Sequence, residues 1–196
     1  MQRLARLILA ATVLAAPTGA RASTWQIDPA HTSAQFAVRH LMVSTVRGQM
    51  GKVSGVVTLD ETDLTKSSVE ASIDVSGINT REPKRDDHLR SPDFLDVAKY
   101  PTITFKSTKV EKVADDHYKV TGDLTLRGVT KSVVLDVTGS SKPLHDPMGN
   151  IKIGGSATAR INRQDFGVSW SKALDGGGVV VGDDVDIMID VELVQK

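Results

Sequence analysis

The chain has no cysteine. That excludes disulfides, thiolate metal ligands and a lipid-modified cysteine anchor, so the protein must rely on its core. It has no excess of positive charge, with 24 Lys and Arg against 24 Asp and Glu. A nucleic-acid partner is therefore not expected, because phosphate backbones are bound by a basic face. The apolar run Leu7 to Ala16 spans ten residues, about half of the roughly 20 a membrane-spanning helix needs. No stable membrane insertion is expected of it. Internal repeats and low-complexity segments are absent from the sequence.

The first 22 residues have the layout of a secretory signal peptide. Arg3 and Arg6 precede the apolar run, Pro17 and Gly19 break it, and Ala20-Arg21-Ala22 offers small residues around a cleavage point. Cleavage after Ala22 is expected, with export to the periplasm and a single domain over residues 23–196. It would remove three basic residues and no acidic one, a net charge of −3. The 174 residues left are enough for a sizeable core or an internal cavity.

What remains reads as strand after strand. From His31 to Met42 apolar and polar residues alternate, which puts Phe36, Val38, His40 and Met42 inward and Gln35 and Arg39 outward. The same period of two recurs over Val53–Leu59, Ser67–Val75, Pro101–Lys109, Tyr118–Leu126, Lys131–Thr138, Ile151–Ile161 and Val179–Val194. Gly155, Ala157 and Ala159 in the middle of one such run leave room on its inner face or let another backbone approach. One stretch, Ser76 to Ser107, interrupts the pattern with dense charge and two helix candidates. One is Pro83 to Leu89. The other is led by Ser91 as N-cap and Pro92 as first helical residue. Eight or nine short strands with one helical interruption predict an all-β fold, an antiparallel sandwich or barrel.

Motifs of catalysis are scarce. There is no G-x-S-x-G, no H-x-x-x-H and no H-x-H. His31 and His40 are nine apart, so one regular strand would point them to opposite faces. No metal site and no cofactor are expected. The carboxylate pairs Asp86/Asp87 and Asp183/Asp184 are adjacent, which suits a solvated surface better than convergence on one bond. The run Arg81 to Arg90 mixes signs. Its bland reading is a solvated helix face with weak ion pairs; the sharper one has cations meeting an anionic head group at a cavity mouth. His40 is either a satisfied core histidine or a polar group in a pocket.

Several motifs resemble the YceI-like family. Trp25-x-Ile27-Asp28-x-x-His31 and Phe36-x-Val38-x-His40-Leu41 are similar to its opening. Arg85-Asp86-x-His88-Leu89-x-Ser91-x-Asp93-Phe94 with Tyr100-Pro101-x-Ile103-x-Phe105-x-Ser107 resembles its centre. Leu124 to Thr130, Asp165-Phe166-Gly167 and Val181-Gly182-Asp183-x-Val185 resemble its later part, and Leu95 stands where a second Phe is common. The resemblance implies an extended eight-stranded, lipocalin-like antiparallel barrel with a short helical insertion. It implies an exported protein holding a lipophilic isoprenoid-type molecule, an isoprenoid quinone or a polyprenyl phosphate, in an apolar pore, as carrier, store or scavenger and without enzymatic activity. From strand parity and the insertion, Phe36, Val38, His40, Met42, Phe94, Ile103, Phe105, Ile161 and Trp170 are expected to line that pore. Arg81, Arg85, His88 and Arg90 are expected to hold the insertion or meet a head group. Two rivals are an enzyme acting on a lipid or quinone with His40 or His88 as base, and a barrel filled by its own side chains. A homodimer is left open.

Overall fold

The structure, a computed structural model, describes residues 22–173 and 177–196. The signal-peptide stretch up to residue 21 lies outside the described residues. Ala22, the last residue of that stretch, already opens the first strand.

Ten strands are β1 (Ala22–Ile27), β2 (Ser33–His40), β3 (Ser44–Gln49), β4 (Val53–Asp60), β5 (Ser68–Asp74), β6 (Thr102–Ala114), β7 (His117–Leu126), β8 (Val129–His145), β9 (Ile151–Asn162) and β10 (Val181–Gln195). They form one antiparallel sheet. The sheet closes because β1 pairs with β4 on one side and with the end of β10 on the other, at Trp25↔Gln195 and Ile27↔Leu193. The result is an eight-stranded antiparallel barrel. Pro29 cannot donate to a ladder, and the chain breaks there. Asp28 takes up the break by accepting from the Ala30 N–H at 3.0 Å. After it β2 continues along the remainder of β10, from Asp190↔Ser33 to Val181↔His40, and carries β3 as a hairpin.

Long strands suit the alternation, and two ran further than their patterns suggested. β6 continues to Ala114 and β8 to His145, so the expected loop from Ser140 is largely ladder, paired with β9 at Leu144↔Lys152. The β5–β6 hairpin, which opens at Asp74↔Thr102, carries residues 75–101 as a cap over one barrel end. Helix α1 (Pro83–Arg90) lies in it, with Glu82 as N-cap and Pro83 in the first turn. The second expected helix is absent: Ser91 ends α1, its hydroxyl donating to the His88 carbonyl at 2.8 Å. Residues 92–99 form successive turns closed by Asp96 N–H to Ser91 O and Tyr100 N–H to Asp96 O.

Two buried clusters lie toward opposite ends. Phe94, Ile103, Leu126, Ile161, Phe166 and Val168 pack under the cap. Trp25, Ile27, Ala34, Val53, Ile153 and Leu193 pack toward the other end. The space that runs through both is the feature that matters.

Candidate functional site

An internal cavity of about 390 Å³ runs along the barrel. At the cap end it touches Leu89 and Phe94; at the other end it touches Tyr118 and Leu64, the latter in a 3-10 turn, Leu64–Lys66. The span from Tyr118 to Leu126 on β7 corresponds to roughly 25 Å of strand, or about 20 Å along the axis once strand tilt is allowed for. The space is therefore long and slender, and its wall is almost wholly aliphatic and aromatic.

The sequence of β9 makes this room. A Cβ on Gly155 would come within 2.8 Å of the Thr138 carbonyl, and one on Gly139 within 2.8 Å of the Gly155 Cα. The glycines thus serve close approach of β8 and β9. Ala157 and Ala159, also on the wall, leave the volume itself. Both alternatives offered by the pattern operate, at neighbouring positions.

Of the residues expected on the wall, Phe36, Val38, Phe94, Ile103, Phe105 and Ile161 are there. His40, Met42 and Trp170 are not. Alternation fails beyond Val38 because β2 ends at His40, and Leu41 and Met42 turn left-handed with φ of 50° and 59°. Met42 is consequently exposed. Trp170 follows a second 3-10 turn, Arg163–Phe166, which ends in left-handed Gly167. It packs, partly buried, against the cluster under the cap, 5.2 Å from the Phe94 ring and 5.0 Å from that of His88.

Arg85, His88 and Arg90 are engaged within the insertion. Arg85 donates to the Thr80 hydroxyl at 2.7 Å and to the Thr80 carbonyl at 2.9 Å. Arg90 donates to the carbonyls of Ser76 and Ile78 and to the Asp87 carboxylate. His88 pairs with Asp93 at 2.9 Å and meets Phe94 edge-on. Arg81 is exposed and left-handed. None of the four lines the cavity, nor does His40.

The expectation of solvated carboxylates is corrected at Asp86, while Asp183 is part-exposed and Asp87 and Asp184 are exposed. Asp86 is buried and accepts from the N–H and hydroxyl of buried Thr80, at 2.8 and 2.5 Å. Asp183 accepts from Arg163 at 3.1 Å and from Gln164 at 2.6 Å. Arg163 was missed altogether. It is 5% exposed and, among the described residues, is the one ionisable group on the cavity wall besides Tyr118. Its guanidinium donates to the carbonyls of Gly182, Val168, Trp170 and Val181 as well as to Asp183. Burial pulls its pKa below the ordinary value, against the upward pull of Asp183. Only the buried carbonyls of the two segments it ties explain it, and no local pattern records those.

Outside the barrel, Asp28, His31 and Glu192 converge at the β1–β2 break. The Lys152 ammonium already sits among them, 2.5 Å from Glu192 and 3.4 Å from Asp28. Hydrogen bonds from His31 and the Ala30 N–H hold the Asp28 carboxyl down at about 2. A cation is built into this cluster as a side chain.

The family model of the YceI-like domain matches residues 25–193. The chain belongs to the YceI-like family. A UPF0312 protein of Vibrio cholerae is 36% identical over 190 residues, 95% of each chain. Among solved structures, the YCEI protein of Campylobacter jejuni superposes with a TM-score of 0.67 at 32% identity, covering 81% of this chain and 90% of that one. A polyisoprenoid binding domain from Saccharophagus degradans, implicated in plant cell wall breakdown, superposes with a TM-score of 0.61 at 16% identity, covering 88% and 98%. This YceI-like barrel thus shares its architecture across distant sequences.

Proposed function

We propose that this YceI-like protein binds a single lipophilic isoprenoid-type molecule, an isoprenoid quinone or a polyprenyl phosphate, in the barrel cavity, as a carrier, store or scavenger. The observation that carries the reading is the shape and chemistry of that cavity: slender, about 390 Å³, and walled by apolar side chains from cap to far end. Each five-carbon unit moved from water into such a space gains about 4 kcal/mol. A chain-like ligand suits this space, whose described lining is almost wholly apolar. The one cation on the described wall, Arg163, has its donors engaged by protein oxygens. The name of the Saccharophagus domain supports the ligand class.

The exported location belongs to the same reading. The signal-peptide layout of residues 1–22 supports secretion with cleavage after Ala22, which would start the mature chain at Ser23, the second residue of β1. A carrier shielding an apolar chain in an aqueous compartment needs no further cofactor. Titrating delipidated protein with an isoprenoid quinone tests the reading. Saturation at one molecule per chain is expected; absence of saturable binding by a folded protein would overturn it.

A further inference from the structure

The tip of the β2–β3 hairpin is built against the usual rules. Leu41, Met42 and Val43 are 38%, 53% and 79% exposed. Leu41 and Met42 adopt left-handed φ, where glycine, asparagine or aspartate would be comfortable and large apolar side chains are not. The turn is firmly held: the Leu41 N–H donates to the Val180 carbonyl at 2.9 Å, and Val43 N–H to His40 O at 3.1 Å. Strain held at an exposed apolar tip does not serve stability, and such strain concentrates at working surfaces.

The surroundings are basic. Arg39 braces the tip, donating to the Met42 carbonyl at 2.7 Å and the Thr45 hydroxyl at 3.1 Å, with no carboxylate partner among the described residues. Arg47 is exposed on β3, and Arg81 is exposed just beyond the Gln49–Asn79 pairing that ties β3 to the cap. Lys172 is exposed beside Val180, whose N–H donates to the Lys172 carbonyl. Among the described residues the acids on this rim are Asp184 and Asp183 in the irregular start of β10, the latter paired with Arg163, and Glu82, which caps α1 beside Arg81. The tip also adjoins the cavity: Val38, three residues before Leu41, and Val181, next to Val180, both stand on its wall.

We propose that this tip docks on the surface of an anionic phospholipid bilayer, Leu41, Met42 and Val43 entering the interface while Arg39, Arg47, Arg81 and Lys172 face the lipid phosphates. The inference rests on the lipophile-binding reading, because a chain costly to expose to water must pass directly between bilayer and cavity. Apolar side chains ringed by cations are the pattern of reversible interfacial binding. A second copy of the chain is a poorer occupant: a convex tip of three residues falls far short of the roughly 800 Å² per partner that a stable protein interface buries.

The test uses flotation with vesicles of phosphatidylcholine alone and of phosphatidylcholine mixed with phosphatidylglycerol. The wild type is expected to float with the mixed vesicles, less so as salt rises. Val43→Asp should weaken this at least tenfold and Arg47→Glu about tenfold, with thermal unfolding unchanged for both, since both side chains are exposed. Because the chain lacks cysteine, Val43→Cys carrying an environment-sensitive dye should shift to the blue only with the mixed vesicles. No flotation of the wild type, or flotation that Val43→Asp leaves intact, would overturn the proposal. So would a change in sedimentation mass on Val43→Asp without a change in flotation, which would make the tip an interface between copies. Quinone titration without vesicles separates the two ideas. A wild type that binds quinone but not vesicles sinks the docking alone; one that floats through the tip but binds no quinone sustains docking and removes the lipophile reading.

Discussion

Replacing Arg163 by Met asks whether the one cation on the described cavity wall anchors the fold or serves a ligand. The guanidinium makes five hydrogen bonds, to the carbonyls of Val168, Trp170, Val181 and Gly182 and to the Asp183 carboxylate, at 2.5 to 3.2 Å. Methionine keeps most of the stem but strands these acceptors. Each hydrogen bond to a charged group is worth about 1.5–3 kcal/mol when made, though Asp183, partly exposed, recovers most of its loss in water. Breaking a buried charged contact of this kind costs about 3–5 kcal/mol. For a domain of this size that lowers Tm by roughly 10–15 °C. Chemical denaturation with circular dichroism measures it, and quinone titration below the new transition reads binding. A strong loss of stability with affinity retained in the folded fraction is expected. A change in stability under about 1 kcal/mol together with lost binding would refute the anchoring role and make Arg163 a head-group site.

Three further outcomes follow from the geometry. Ala159→Phe places a ring in mid-cavity, so quinone binding should be abolished while stability changes by less than about 1 kcal/mol, the ring filling space rather than overpacking a core; titration and thermal unfolding check it. Asp86→Ala leaves the buried Thr80 N–H and hydroxyl without their acceptor and should cost about 2–3 kcal/mol, with hydrogen exchange accelerated in residues 75–101 ahead of the strands. The Asp28 carboxyl, held at about 2 against an ordinary 3.8, stabilises the fold fully above pH 3.8. That contribution is lost as pH falls from 3.8 toward 2, because the unfolded state takes up the proton first. Asp28→Asn should flatten acid unfolding in that window; an unchanged acid transition would show that the cluster at the β1–β2 break contributes nothing.

The barrel was largely legible because alternation with period two is a property of each strand by itself. Phe36, Ile103, Phe105 and Ile161 face the cavity as their parity requires. What escaped the sequence were positions fixed by backbone turns or distant partners. Met42 continues the parity of β2, but the left-handed tip begins one residue earlier. Trp170 shares parity with Phe166 and Val168, yet the intervening turn at Gly167 is no strand. Asp86 reads as a surface charge because charge usually is, and Arg163 draws no expectation at all. Their burial depends on Thr80, six residues before Asp86, and on carbonyls up to 19 residues from Arg163, contacts that strand or helix periodicity does not record. Ser91 carries the signature of a helix start but stands at a helix end, since the eight residues before it satisfy their own hydrogen bonds first.

The central claim is that the cavity holds a chain-like lipophile. Native mass spectrometry of the protein purified from its own host, followed by organic extraction and mass analysis of what is released, tests it most directly. The account predicts one isoprenoid-type molecule per chain, present in the wild type and missing from Ala159→Phe. A wild type that arrives with no bound lipophile and takes up none from a lipid extract of the same cells would contradict it.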